Sequence, residues 1–271
     1  MYLAIDIGGT KTLLALFSNH GLCLKRLKFP TDKNPHAFEK TLSSYLQTLL
    51  PKASSRRRVR AITVAIPGIV ETELNSYSFK FGNLDWPHID LITPIKNLFN
   101  AKIFFINDAN LATFYEASRL DRKSGKTIYL TFSTGIGGGI AKNGELLKSS
   151  DTFEPGHVKY SFRNAYAEWE DIASAKAIIE AYKVPALQNL ALDNANLKDL
   201  IARLSLGLLD IIKHESPDVI IIGGPLAFLF KEIKKPLSET LPAQIKLKKA
   251  HRPTDSTIYG AYLYAKQNYK K

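Results

Sequence analysis

The sequence predicts an α/β fold, and three observations lead to this prediction. Short apolar runs such as residues 61–66 and 218–222 have the length and composition of buried strands. Segments whose apolar residues recur at helical spacing lie between these runs. Glycine-rich turns follow the strands at residues 8–9, 135–139 and 223–224. Because ligands in α/β folds bind beyond the carboxyl ends of the strands, these turns are candidate binding positions.

The first half of the chain begins with two strands that flank a glycine-rich turn. Residues 2–7 and 13–17 are apolar and β-favouring, which predicts a hairpin with a polar tip. The elements predicted after it are a strand at 22–29, an amphipathic helix at 35–50, a strand at 61–66 ending at Pro67-Gly68, a strand at 103–106 ending at Asn107-Asp108, and a helix at 109–118.

The second half repeats this design. Its predicted elements are strands at 128–132 and 138–141 around the turn at 133–139, a helix from Leu197 to Ile212 that stops before Pro217, a strand at 218–222 and a closing helix at 258–267. With 271 residues and 45% hydrophobic composition, the chain can fill two cores. We expect an N-terminal α/β lobe at 1–110 and a C-terminal α/β lobe at 111–255, with a helix at about 256–271 packing back on the first lobe.

Composition limits the classes of partner. The formal charge of +12, from 37 Lys and Arg less 25 Asp and Glu, suits nucleic acid, membrane phosphates or an anionic small ligand. The basic cluster at 54–60 lacks interleaved aromatic residues, so a solvated linker and a polyanion contact both stay open. No apolar run approaches the roughly 18 residues that span a bilayer, the first residues lack a secretory pattern, and Cys23 is the single cysteine. We expect a cytoplasmic protein that binds neither membrane nor nucleic acid.

The turn after the first strand has residue types that hold phosphate groups. Its glycines let the backbone approach a phosphate without a Cβ clash, its threonines offer hydroxyl donors, and its lysine supplies positive charge. The carboxylate at its start can hold Mg²⁺ through water. The candidates are Asp6 for the metal, and Gly8, Gly9, Thr10, Lys11 and Thr12 for the phosphates. A plain hairpin turn is the alternative interpretation.

The second glycine-rich turn offers Thr134 and Gly135 as further phosphate contacts, and residues 137–139 allow tight packing beside them. Neither turn is a Walker A motif, because no Gly-Lys-Ser/Thr follows at the required spacing. Asp108 lies between a buried strand and a helix, where its carboxylate could accept a proton from a substrate hydroxyl. Its alternative role is the N-cap of that helix. The two phosphate-type turns favour the catalytic role.

At these residues the sequence resembles the ROK sugar kinases, of the hexokinase, Hsp70 and actin ATPase superfamily. Eight motifs occur in the order typical of that family. They are residues 6–12 and 134–139 as phosphate motifs, Ala65-Ile66-Pro67-Gly68 as the Pro-Gly loop, Asn83-Leu84 with Trp86 as the Asn-Leu-x-x-Trp segment, Asn107-Asp108-Ala109-Asn110 with the catalytic Asp, Glu154-Pro155-Gly156-His157 and Glu170 with Ser174 as sugar motifs, and Gly223-Gly224 as the adenosine-side turn.

The resemblance implies a two-lobed actin-like ATPase (ribonuclease H-like) fold with an interlobe cleft, ATP and Mg²⁺ as cofactors, and a small sugar as substrate. It also implies that the γ-phosphate passes to a hexose hydroxyl, with glucose O6 as the first expectation. The implied site residues are Asp108 as general base, Gly68, Asn83, Asn107, Asp108, Glu154, His157 and Glu170 for the sugar, and Gly223 and Gly224 for the nucleotide.

Several alternatives stay open within this resemblance. The acceptor could be an N-acetylhexosamine, mannose or fructose, and the donor could be polyphosphate. A sugar-binding regulator without efficient catalysis is a rival from another class. A homodimer would be typical of the family, whereas we expect no DNA binding because the chain lacks an N-terminal helix-turn-helix.

The sequence departs from the family pattern in the loop after His157. Family members commonly bind zinc through the His of Glu-x-Gly-His and three cysteines of that loop, but residues 158–169 contain no cysteine. Structural zinc requires four soft or imidazole ligands, so we predict no zinc site. We expect the loop to be held instead by packing of its aromatic residues, which are Tyr160, Phe162, Tyr166 and Trp169. Ser133 and Ala175 stand where the family tends to have glycine, which predicts altered geometry.

Elemental analysis of the purified protein tests the absence of zinc. We expect any zinc to be substoichiometric, and we expect a chelator to remove it without changing the circular dichroism spectrum. About one tightly held zinc ion per chain, whose removal unfolds the protein, would contradict the prediction.

Overall fold

The computed structural model describes residues 1–73, 76–81, 84, 86, 89–121 and 123–270, so the predicted sugar contact Asn83 lies outside the described residues. The strands are β1 Tyr2–Ile7, β2 Lys11–Phe17, β3 Cys23–Pro30, β4 Ala61–Ile66, β5 Gly68–Glu73, β6 Ser76–Phe81, β7 Lys102–Asn107, β8 Lys126–Phe132, β9 Ile136–Lys142, β10 Glu145–Leu146, β11 Lys159–Phe162, β12 Ala165–Glu168, β13 Val219–Gly223 and β14 Lys246–Lys249. The α-helices are α1 Pro35–Leu49, α2 Ala53–Arg56, α3 Ile92–Lys96, α4 Asp108–Ser118, α5 Trp169–Ala173, α6 Ala175–Tyr182, α7 Asn194–Glu215, α8 Phe230–Thr240 and α9 Ser256–Asn268.

The chain forms two compact units, one of Met1–Tyr115 with Thr257–Lys271 and one of Glu116–Ser256. The sheet of the first unit has the order β3-β2-β1-β4-β7, with β1 antiparallel to β2 and parallel to β4. The sheet of the second unit has the order β10-β9-β8-β13-β14, with β8 antiparallel to β9 and parallel to β13. Each unit therefore opens with a hairpin and continues with parallel strands, and the predicted α/β class is confirmed.

Helices cover both faces of the first sheet because side chains alternate along its strands. On β1, Leu3, Ile5 and Ile7 belong to the core beneath α1 and α3. Tyr2 and Ala4 point the other way and pack in the core that includes α9. This layering leaves the carboxyl ends of β1, β4 and β7 as the edge from which the candidate turns emerge.

The longer helices begin and end where local chemistry requires. The Asn34 side chain accepts the Ala37 N–H at 3.0 Å and starts α1, and Asp193 accepts the Asn196 N–H at 2.8 Å and starts α7. Helix α7 ends at Glu215, and the capping residue Ser216 has a left-handed φ of 46°. Within the ranges given above, no helix is both long and apolar enough to cross a membrane.

The core of the second unit is built around Trp169, which is fully buried. Its indole Nε1 donates to the Arg203 carbonyl at 3.0 Å, and its ring meets Phe132 edge-on at 5.4 Å between centroids. A Cβ added to Gly207 would collide with the indole, so this glycine allows α7 to pack directly on it. Trp169 thereby fixes the start of α5 against α7.

Several elements were absent from the sequence prediction, among them α8 and the hairpin β11–β12. Helix α8 contains Pro236, a residue that normally signals the end of a helix. The turn between β11 and β12 lacks glycine and places Arg163 at a φ of 56°. The expectation that all four aromatic residues of this segment pack inward is wrong for Tyr166, which is 71% exposed, and correct for Trp169.

Gly207→Ala is expected to destabilise the second unit. Overpacking in a filled core typically costs about 1–3 kcal/mol, whereas alanine gains only about 1 kcal/mol over glycine in a helix interior. Because the added Cβ would collide with three indole atoms, we expect a cost in the upper part of this range. The net loss in the free energy of unfolding, measured with urea, should then be about 1–2 kcal/mol.

Ser205→Ala is the matched control on the same helix. The buried Ser205 Oγ has no hydrogen-bond partner among the described residues, so its removal should leave stability equal or higher. A Gly207→Ala protein as stable as the wild type would contradict the prediction, because the indole and α7 would then separate at no more cost than the helix propensity of alanine offsets.

Candidate functional site

The first glycine-rich turn joins β1 to β2 and is closed by its own backbone. The Gly8 N–H donates to the Lys11 carbonyl at 3.1 Å. Thr31, directly after β3, holds this turn from the side, because its N–H donates to the Thr10 carbonyl at 3.0 Å and its Oγ1 donates to the Gly8 carbonyl at 2.7 Å. The side chains of Thr10 and Lys11 are exposed. The turn is thus a fixed backbone with a polar and basic tip.

Two predicted residues of this turn are less accessible than its tip. Thr12 is fully buried, and its Oγ1 shares a 2.8 Å hydrogen bond with Thr31 Oγ1. This placement gives Thr12 a structural contact and does not present its hydroxyl to a ligand. Asp6 is half-buried and lies near the carboxyl end of β1, where its neighbours across the sheet are Leu13 and Ala65.

Asn107 connects the Pro-Gly loop to the start of α4. Its Nδ2 donates to the Gly68 carbonyl at 2.8 Å, and its Oδ1 accepts the Asn110 N–H at 2.9 Å. Asn107 therefore makes the bond of a cap side chain, and the alternative of Asp108 as N-cap is wrong. Asp108 is the half-buried first residue of α4, and its Oδ1 accepts the Ala109 N–H at 2.7 Å. Gly68 needs to be glycine because its φ is 104°.

The second glycine-rich turn is hydrogen-bonded to Glu170, a predicted sugar-binding residue of the same unit. The Ile136 N–H donates to Glu170 Oε2 at 3.2 Å. A Cβ added to Gly135 would collide with this carboxylate, and one added to Gly156 would lie 3.0 Å from the same oxygen. Gly135 thus makes room for the carboxylate, whereas a Cβ on Gly156 would first collide with the Ile136 carbonyl oxygen. Thr134 lies exposed at the tip of the turn.

The departures from the family pattern leave the second turn formed. The Ser133 carbonyl accepts the Lys176 N–H at 3.1 Å, which ties the turn to the beginning of α6. Ala175 is buried in the core of this unit. Ser174 Oγ accepts the Ala177 N–H at 3.1 Å and caps α6, so the serine of Glu-x-x-x-Ser has a structural contact.

Glu154 directly precedes a single turn of 3₁₀ helix, Pro155–His157, and His157 is the last residue of that turn. The His157 Nδ1 lies 2.9 Å from Oε2 of Glu168, a residue outside the eight sequence motifs. This hydrogen bond raises the pKa of His157, against the opposing effect of burial. Burial raises the pKa of Glu154, while the positive charge of His157 opposes the shift and the negative charge of Glu170 adds to it.

Ligand atoms of His157, Glu168 and Glu170 lie within 4.8 Å of one another. The structure therefore places the carboxylates of Glu168 and Glu170 beside the His157 imidazole. Three ligands of this kind are fewer than the four of a closed structural zinc site. The absence of zinc stays a prediction.

The Gly223-Gly224 turn ends β13 and is buried. A Cβ on Gly223 would collide with the Tyr129 ring, and one on Gly224 would collide with the backbone of Phe132. The Gly224 N–H donates to the Pro253 carbonyl at 2.8 Å. These contacts explain both glycines by close packing at the end of the second sheet.

Comparison with known proteins finds relatives that match nearly the whole chain. The model of the ROK family matches residues 2–268. N-acetylmannosamine kinase of Yersinia pestis (strain Pestoides F) is 28% identical, and the match covers 97% of this chain and 98% of that protein. A ROK family glucokinase from Streptomyces griseus, solved in complex with glucose and AMPPNP, has a TM-score of 0.78 at 19% identity and covers 98% of this chain and 99% of its own. A ROK family transcriptional regulator, a homologue of the E. coli MLC protein, has a TM-score of 0.78 at 18% identity, with coverage of 99% and 78%.

The predicted actin-like ATPase fold class is confirmed by these structural likenesses. The predicted enzyme class, a phosphotransferase with an alcohol acceptor, is that of the first two relatives. Since the family model extends over nearly the whole length and the eight motifs follow its order, the chain belongs to the ROK family.

Proposed function

We propose that this chain is an ATP-dependent sugar kinase that transfers the γ-phosphate to a hydroxyl of a hexose or N-acetylhexosamine. One observation carries the proposal, namely the bond between Glu170 Oε2 and the Ile136 N–H. The other oxygen, Oε1, has no partner among the described residues. One carboxylate can therefore hold a phosphate-type turn through one oxygen and accept a sugar hydroxyl through the other.

The groups around Glu170 suit a polyhydroxyl ligand. Glu154 and His157 add a second carboxylate and an imidazole in the same unit. Such groups bind adjacent hydroxyls, and a site built on them rejects analogues that lack one hydroxyl. The sequence motifs favour glucose O6 as the acceptor, and the relative at 28% identity, named N-acetylmannosamine kinase, supports an N-acetylhexosamine as the second candidate.

The donor-side residues fit a nucleotide with its metal. When bound, ATP supplies the phosphoryl group and Mg²⁺ offsets its charge. Thr10 and Lys11 would donate to the phosphates from the exposed tip of the first turn, while Asp6, a hard oxygen ligand, would hold the metal through water. We propose the same phosphate contact for Thr134 and Gly135. The burial of Thr12 supports a positioning role for that residue.

We propose Asp108 as the general base that accepts the proton of the attacking hydroxyl. The Asn107 amide nitrogen holds the loop at Gly68, and its amide oxygen holds the first turn of the helix that begins at Asp108. We therefore propose that Asn107 acts first by positioning these segments. A sugar hydroxyl can still use the second amide hydrogen or the second lone pair of the oxygen.

Asp108→Asn is expected to lower kcat by about 10²–10⁴-fold, because an amide cannot accept the hydroxyl proton. The KM for sugar should change little, since the amide retains a hydrogen-bonding shape. A coupled assay of ADP release with the best sugar measures both constants. Asp32→Asn is the matched control, as Asp32 is exposed and its bond from the Asn34 N–H survives the change. Near-wild-type turnover of Asp108→Asn would remove Asp108 from the proposed role.

A panel of hexoses and N-acetylhexosamines, including glucose and N-acetylmannosamine, identifies the acceptor in the same assay. Comparing ATP with polyphosphate identifies the donor, because a polyphosphate track would make turnover strongly dependent on salt.

The rival regulator function is favoured by the structural likeness to a ROK transcriptional regulator. Calorimetric sugar binding without ADP or sugar phosphate formation would favour that rival.

A further inference from the structure

The His157 ring is held by the protein through one nitrogen. Its Nδ1 lies 2.9 Å from Glu168 Oε2, and its Nε2 has no hydrogen-bond partner among the described residues. The side chain is 57% exposed, so packing alone does not fix the orientation of the ring. The Glu168 contact is therefore the restraint that sets where Nε2 points.

The backbone places Glu168 at this position. Glu168 pairs with Lys159 across the hairpin β11–β12. The N–H of the next residue, Trp169, donates to the Val158 carbonyl at 2.8 Å. Because Val158 directly follows His157, the two side chains start from backbone positions that the hairpin and the buried indole hold together.

Two other carboxylates compete for the same imidazole. Glu154 and Glu170 both interact electrostatically with His157. If the ring turned toward either of them, it would form a hydrogen bond with a carboxylate that is proposed to bind sugar hydroxyls. Its bond to Glu168 leaves these carboxylates and Nε2 available to a ligand.

We propose that Glu168 is a positioning residue of the sugar site, which accepts the Nδ1–H of His157 and directs Nε2 to a sugar hydroxyl. This inference rests on the proposed sugar kinase function. A hydrogen bond at one ring nitrogen decides which nitrogen carries the proton. With the proton on Nδ1, neutral Nε2 is an acceptor, and the carboxylates of Glu154 and Glu170 are acceptors as well. With a neutral ring, the cluster therefore suits a ligand that supplies donors, as adjacent sugar hydroxyls do.

The tautomer of His157 tests the proposal without any turnover. The protein is treated with a chelator, checked for metal, and studied by ¹⁵N NMR of the imidazoles at a pH where the ring is neutral. His157→Gln identifies the signal among the six histidines. We expect the Nδ1–H form in the wild type and in Glu168→Gln, whose amide oxygen still accepts this bond. We expect Glu168→Ala to shift toward the Nε2–H form, which free imidazole side chains favour.

Steady-state kinetics give the second readout. Glu168→Ala should raise the KM for sugar on the order of tenfold, the lower end of the loss seen when a metal-binding histidine loses the carboxylate that orients its ring. The KM for ATP should stay within about twofold, because the change concerns the sugar group alone. Glu168→Gln should recover most of the sugar KM. Glu180→Ala, which removes an exposed carboxylate of α6 in the same unit, should match the wild type in every measurement.

Each result decides a separate claim. Wild-type His157 in the Nε2–H form, or a Glu168→Ala protein with unchanged sugar KM, would overturn the positioning role while leaving the kinase proposal intact. If Glu168→Gln were as impaired as Glu168→Ala in both readouts, geometry would not be the reason and the proposal would also fail. If the wild type phosphorylated no sugar of the panel, the kinase proposal would fail, and calorimetric sugar binding would replace KM as the test of Glu168.

Discussion

The burial of Trp169 against Gly207 determines where the two carboxylates on either side of it are presented. The indole fills the core, and both its ring N–H and its backbone N–H are bonded, to the carbonyls of Arg203 and Val158. With the indole turned inward at the junction of β12 and α5, the flanking residues Glu168 and Glu170 lie at the edge of the core. One meets His157 and the other meets the turn at Ile136. Apolar packing thus sets the polar geometry of the second unit.

In the first unit, buried and partly buried hydrogen bonds set the geometry of the polar segments. Thr31 makes three bonds to the first turn, through Gly8, Thr10 and Thr12. Asn107 makes one bond to the Pro-Gly loop and one to α4. Segments fixed in this way lose less conformational entropy when a ligand binds, because their backbone is already ordered. As a consequence, some polar side chains near the site form hydrogen bonds within the protein and not with the ligand.

The loop at residues 158–169 shows how a segment without cysteines is held. Its strands pair with each other, and the Tyr160 hydroxyl donates to Asp210 Oδ2 on α7 at 2.9 Å. Burial and this bond raise the pKa of Tyr160, so the phenol stays a donor over the physiological range. Burial of Trp169 contributes on the order of 2–3 kcal/mol. Packing and hydrogen bonds therefore fasten both ends of the hairpin to the core without a metal ligand set of thiolates.

The sequence by itself determined the α/β class, the positions of strands β1–β4, β7–β9 and β13 and of helices α1, α4, α7 and α9, the glycine-rich turns and the family. These features depend on local periodicity and on residue order along the chain. It could not show that Thr12 turns inward to Thr31, that Asn107 and not Asp108 caps α4, or that Glu168 pairs with His157. The partners in these contacts are 19, 3 and 11 residues apart. The alternation of Tyr160 and Phe162 in β11 was a signal for the hairpin that brings Glu168 into place, although its turn lacks glycine. The tertiary structure decided which polar atoms face a ligand and which form hydrogen bonds within the protein. The physical reason is that only packing brings a donor within 3 Å of one acceptor and not of another.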